Sequence, residues 1–179
     1  ATGIYPPDIG GPATYTKMIA EAFAQRGHSV RVITYSSADQ KESQFLLIRV
    51  SRKIPKGLCH ILYFFKILWH GTKSDIIFAQ DTVSAGLPAA LAAKLLKKKF
   101  VLKIVGDYAW EQARLRFGVQ DALDDFLKKD YNWRVEFFRK IEKFVAASAK
   151  RIIVPSQYLQ GVVVQWGVNG AIDVIAGQI

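Results

Sequence analysis

Short apolar, β-branched runs recur along the chain and alternate with stretches of helical periodicity. They occupy residues 3–5, 30–34, 45–48, 75–79, 100–105, 151–154 and 172–175, which predicts about seven strands. Most are continuously apolar rather than alternating, the pattern of strands covered on both faces by crossover helices. The predicted class is therefore α/β, a doubly wound and mainly parallel sheet.

Helical patterns fill most of the intervals. Residues 13–26 end at Gly27, and residues 84–98 carry Leu87, Leu91, Leu95 and Leu96 at core spacing. The stretch 57–69 is apolar on nearly every side, so it must be covered by the sheet or lie at an interface. No strand is predicted between residues 106 and 150; two helical patterns, 119–129 and 133–149, make a helical insertion over about 107–150. No internal repeat or Pro/Gly/Ser-rich linker divides the 179 residues, which are expected to form one domain.

Composition narrows the function classes. Half the residues are hydrophobic and 22% are charged, which excludes disorder over most of the chain. The single cysteine, Cys59, excludes an internal disulfide and a thiolate-rich metal site, and fits a reducing, cytoplasmic compartment. Twenty-five Lys and Arg against 15 Asp and Glu leave a net charge of +10. Lys97, Lys98 and Lys99 together with Arg139, Lys140 and Lys143 are either a solvated basic face or a surface for anionic lipid at the inner face of a membrane. Nucleic acid is not expected as a partner, because no recognised nucleic-acid-binding motif accompanies the charge. The three histidines form no metal-ligating constellation.

In a doubly wound sheet the ligand sits outside the carboxyl ends of the strands. That rule selects three turns: residues 5–13 with Gly10, Gly11 and Pro12; residues 80–82 with Asp81; and residues 106–110 with Asp107, Tyr108 and Trp110. Gly10-Gly11 ahead of a helix is either a tight turn or an anion contact, since glycine admits a phosphate to the backbone and a helix start supplies free N–H groups. The pair matches neither the dinucleotide fingerprint nor the P-loop. Asp107 is the stronger candidate for a base or hydroxyl-orienting group, whereas Asp81 has helix capping as an equal alternative. Tyr108 and Trp110 could stack on a sugar or anchor their loop to the core.

Five segments in order carry a resemblance: 2–12 (TGIYPPDIGGP), 26–34 (RGHSVRVIT), 80–88 (QDTVSAGLP), 105–111 (VGDYAWE) and 153–159 (IVPSQYL). Together they resemble the amino-terminal half of glycosyltransferase family 4. The resemblance implies a GT-B architecture of two Rossmann-like domains flanking a cleft, the first accepting substrate and the second holding a nucleotide-sugar donor. It implies sugar transfer with retention of configuration and no required metal or cofactor, to a sugar or lipid-linked sugar acceptor. Gly10 and Gly11 would then face the donor's phosphates, while Asp107 and its neighbours would line the acceptor side. The family's Glu-x7-Glu pair belongs to the second domain, and the last glutamate here is Glu142. The chain alone is therefore expected to be inactive. Two departures from the family pattern are the absence of residues before Ala1 to complete the first strand, which implies truncation, and Ala176-Gly177-Gln178 in place of Pro-Asn-Gly. A lipid-carrier module and an unrelated Rossmann-like nucleotide-binding protein remain the alternatives.

Overall fold

A computed structural model describes residues 1–38, 41–168 and 170–176. Gly177 and Gln178, two of the three positions of the second departure, lie outside the described residues. The elements run α1 (Gly11–Gln25), β1 (Arg31–Tyr35), β2 (Leu46–Val50), α2 (Lys56–Gly71), β3 (Ile76–Gln80), α3 (Gly86–Leu96), β4 (Lys99–Lys103), α4 (Tyr108–Phe117), α5 (Leu123–Phe126), α6 (Trp133–Ser148), β5 (Arg151–Val154), α7 (Gln157–Gln165) and β6 (Ala171–Val174).

All strand pairs are parallel, with β1 beside β2 and β3–β4–β5–β6 in sequence. The described residues hold six strands rather than about seven. Residues 3–5 form no strand; the chain crosses the centre of the sheet at Thr2, which bridges Thr34 on one side and Gln80 on the other. Thr2 N donates to Ile33 O at 3.0 Å, and Ala1 O accepts from Gln80 N at 3.1 Å. The buried Tyr63 hydroxyl lies 3.0 Å from Thr2 O and 3.1 Å from Ile33 O, closing this seam from the α2 side.

The helices divide between the two faces. Thr16 and Tyr15 of α1 meet Gln80 and Lys103, and Ala20 joins Tyr5, Val32 and Phe45 in a small cluster. The main core lies on the opposite face, where Ile77, Ala79, Phe100, Leu102 and Ile152 pack beneath α2, α3 and α6. Of the leucines proposed to face the core from α3, Leu87 and Leu96 pack against it and the other two do not. Leu91 and Leu95 are exposed, whereas Ala89, Ala90, Ala92 and Ala93 are buried. Alanine lets α3 approach the sheet closely, and Gly86 continues that contact: a Cβ there would overlap the Asp81 carbonyl oxygen and press on Val145.

The interval before β5 holds three helices among the described residues. The 119–129 pattern shortens to the four-residue α5, while α4 begins where a loop was expected because Asp107 caps it. No helix among the described residues is long and apolar enough to cross a membrane.

Two glycine substitutions separate packing from propensity. Gly86→Ala is expected to lower stability by roughly 1–3 kcal/mol through overpacking. Gly161→Ala, in α7 with open space around its Cβ, is expected to raise it by roughly 0.5–1 kcal/mol. Urea unfolding of the two variants checks both signs.

Candidate functional site

Parallel strands place all their carboxyl ends at one edge, so the three predicted turns meet there. Thr2 leads leftward through α1 to β1, while β3 leads rightward through α3 to β4. Crossovers of opposite direction leave the sheet on opposite faces and open a crevice between the two turns. Gly3 borders Asp81, since a Cβ on it would stand 3.2 Å from Asp81 Oδ2. Asp81, Thr82, Gly106, Tyr108 and Glu111 line one cleft of about 50 Å³. The chain leaving Thr2 thus starts beside the turn after β3, which shares a cleft with the turn after β4.

The turns differ in how their helix starts are satisfied. Asp81 takes a positive φ of 105° and accepts from Ala85 N at 2.9 Å and from Ser84 Oγ at 3.0 Å. Asp107 is 1% exposed; its Oδ1 accepts from Trp110 N at 2.7 Å and its Oδ2 from the Trp166 indole at 3.2 Å. Capping is therefore the observed work of both aspartates.

Glu142, 1% exposed on α6, completes the same turn. It accepts from Tyr108 N at 2.8 Å, Ala109 N at 3.0 Å and Thr82 Oγ1 at 2.9 Å. Burial first, and then the Asp107 carboxyl beside it, raise its pKa to about 8. Burial likewise raises Asp107. Sequence reasoning missed Glu142; a carboxylate on the inward stripe with Val135, Val145 and Ala146 was the available signal.

At α1 the arrangement is different. Gly10 is the N-cap and Gly11 the first helical residue, and among the described residues no side chain caps the helix. Pro12 has no N–H, and Gly10 O accepts from Ala13 N and Thr14 N. A Cβ on Gly10 would stand 2.8 Å from Ile4 Cδ1, whereas one on Gly11 would meet nothing within 4 Å. A side chain on Gly10 would thus press on the end of the Ile4 side chain, whereas Gly11 faces open space. Lys103, also missed, ends β4 with its ammonium 2.9 Å from the Tyr15 ring centroid. Desolvation lowers its pKa.

The remaining candidates scatter. Tyr108 lines the rim and packs edge-on against Phe138. The Trp110 indole donates to Asp121 O at 2.9 Å, and Arg114 lies over its ring, so this residue anchors the loop before α5. Lys97, Lys98 and Lys99 join α3 to the start of β4, at the edge opposite the rim. Arg139 is tied to Glu136 at 2.8 Å and to the Phe126 and Lys129 carbonyls, over the Phe126 ring. Lys140 and Lys143 border a cavity of about 270 Å³ with Trp166. The six cations form no single surface. Among the described residues, no three His, Cys, Asp or Glu side chains are grouped to hold a metal ion.

The Glu142 environment generates a pH dependence. The folded state keeps a proton that the unfolded chain releases above the usual glutamate value of 4.5, so stability falls as pH rises from there through about 8. Thermal unfolding across this window should show that decline, with a smaller slope in Glu142→Gln.

A sequence comparison with curated proteins returns no match. Among solved structures, apo UGT2 of Phytolacca americana is similar in fold, with a TM-score of 0.58 and 12% sequence identity over 99% of this chain and 52% of that one. The chain spans about half the length of that protein, and its architecture is the Rossmann-like half of a GT-B fold. The family model described as Glycosyltransferase Family 4 matches residues 9–177. On a match of that extent, the chain belongs to Glycosyltransferase Family 4.

Proposed function

We propose that this chain is the acceptor-side domain of a retaining glycosyltransferase that uses a nucleotide-sugar donor, with the donor held mainly by a second domain across the rim. The observation that carries the reading is the glycine-built start of α1, uncapped by any side chain at a rim where Asp81, Asp107 and Glu142 occupy the neighbouring helix starts.

Transfer of a glycosyl group leaves negative charge on the departing phosphate. A helix N-terminus and a nearby cation stabilise such charge more in the transition state than in the ground state. The Gly11 N–H and the α1 dipole supply this on the acceptor side, and Lys103 adds positive charge beneath α1. The acceptor hydroxyl enters over the cleft between Asp81 and Tyr108. Asp107 acts as a positioning residue, because its carboxylate is turned into the α4 start rather than toward the cleft. Gly11 keeps the approach clear, since a side chain would project into the open space a phosphate needs. The chemistry requires neither metal nor organic cofactor from this domain.

Two measurements test the division of labour. Calorimetry of this chain with a nucleotide sugar is expected to show weak binding or none; tight binding would overturn the assignment of the donor to another domain. In the complete protein, Gly11→Val is expected to reduce kcat/KM by at least about tenfold, the loss of roughly 1.4 kcal/mol of transition-state stabilisation. Its melting temperature should change little, because the Cβ meets no neighbour. Unchanged turnover would remove α1 from the donor site.

A further inference from the structure

On the face away from α1, α3 lies between α2 and α6; the exposed side chains of α2 and α3 are mostly apolar, and α6 exposes aromatic residues together with Arg134, Lys140 and Lys143. On α2, Leu58, Ile61, Phe65 and Trp69 fall at helical spacing and are 50, 53, 56 and 75% exposed. Leu95 on α3 is 65% exposed and Phe137 on α6 is 55% exposed. Scattered exposed apolar residues are ordinary, but a stripe of four along α2, beside exposed Leu91 and Leu95 on the adjoining α3, marks an interaction surface. Neither α2 nor α3 contains an aspartate or glutamate, while Lys66 and Lys94 are exposed on them. An apolar surface fringed only by positive charge along two helices complements an anionic bilayer.

A groove of about 510 Å³ opens within this face, lined on its apolar side by Ile61, Phe64, Leu87, Leu91 and Phe138. That volume falls in the range of roughly 300–1,000 Å³ typical of small-molecule sites. Its polar lining is His60, Ser84, Tyr108 and Arg116. Ser84 and Tyr108 belong to the turns after β3 and β4, so the groove's polar end is the rim itself. His60 is held there by the Tyr35 hydroxyl, 2.9 Å from its Nδ1, which in turn donates to Ser84 O at 3.0 Å. The groove therefore runs from a hydrocarbon-like surface to the place where an acceptor hydroxyl must arrive.

We propose that the α2–α3–α6 face rests on an anionic bilayer and that the groove receives the hydrocarbon chain of a lipid acceptor, with the lipid phosphate near Arg116 and its hydroxyl-bearing head at the rim. This names the acceptor class for the transferase reading above and rests on it. It also relocates the expected anionic-lipid surface from Lys97–Lys99 and the α6 cations to the outer faces of α2 and α3.

Two kinds of variant separate face from groove. Phe65→Asp with Trp69→Asp removes the apolar face, and Leu91→Trp narrows the groove at a partly exposed position. Flotation with vesicles of mixed phosphatidylglycerol and phosphatidylcholine is expected to carry the wild-type chain, with binding about tenfold weaker on pure phosphatidylcholine or in high salt. The double variant should lose vesicle binding, and Leu91→Trp should keep it. Titration with a fluorescent short-chain phosphatidate below its micellar concentration should show the reverse, with at least a fivefold loss for Leu91→Trp and none for the double variant. Leu91→Ala, which widens the groove, should retain probe binding and guards against misfolding of the tryptophan variant. Wild-type probe affinity in both Leu91 variants would overturn the groove assignment. Failure to float, together with a dimer in sedimentation that the double variant dissociates, would overturn the membrane assignment and identify the face as a contact between copies. In the complete protein, consumption of nucleotide sugar that lipid does not stimulate would sink the lipid acceptor and leave the transferase reading standing. Lipid binding without consumption of any nucleotide sugar would do the opposite.

Discussion

A buried backbone N–H must find an acceptor, and at the carboxyl edge of this sheet that requirement organises the molecule. The starts of α3 and α4 sit where water has little access. The chain fills them with its own carboxylates: Asp81 beneath α3, and Asp107 and Glu142 beneath α4. Glu142 comes from α6, so satisfying α4 also fixes α6 against the turns after β3 and β4. Removing water from two adjoining carboxyls keeps a proton between them near neutral pH. The same accounting leaves α1, with glycine at its cap and at its first position, as a helix start on this rim that no side chain occupies.

Parallel pairing gives that contrast its place in space. Because Thr2 runs between β1 and β3 in the same direction as both, the turn toward α1 and the turn toward α3 emerge side by side. They then leave on opposite faces. The seam has little regular strand structure, and Tyr63 compensates by placing its hydroxyl against two carbonyls there. Stacking of Tyr63 on Tyr35 at 4.0 Å, and the Tyr35 contact to His60, continue the chain of contacts from the centre of the sheet to the groove.

The helices on the second face show how burial is divided. Alanines on the inner side of α3 bring it close to β3 and β4, and Leu91 and Leu95 on its other side are turned outward, Leu91 along the groove. The inner stripe of α2, with Cys59, Tyr63 and Ile67, meets the core, and its outer stripe, with Leu58, Ile61, Phe65 and Trp69, is exposed among the described residues. An all-round apolar helix thus belongs both to the core and to a second, external contact.

The sequence by itself determined the α/β class, the parallel direction of the strands and the three turns that leave their carboxyl ends. Local periodicity and the rule for open parallel sheets depend only on the order of residues along the chain. It also carried the family, through five short segments in register. It did not disclose that residues 3–5 would be irregular rather than a strand, since so short an apolar run carries no information on whether both neighbours pair. Tertiary structure alone decided that Asp107 faces inward to a helix start, that Glu142 from 35 positions downstream shares its burial, and that Arg139 is spent on α5. It likewise turned Leu91 and Leu95 of α3 outward while Leu87 and Leu96 reach the core, because the choice between alanine and leucine stripes depends on how near the sheet lies. In each case the deciding quantity was a distance between residues remote in sequence, which pattern along the chain does not encode.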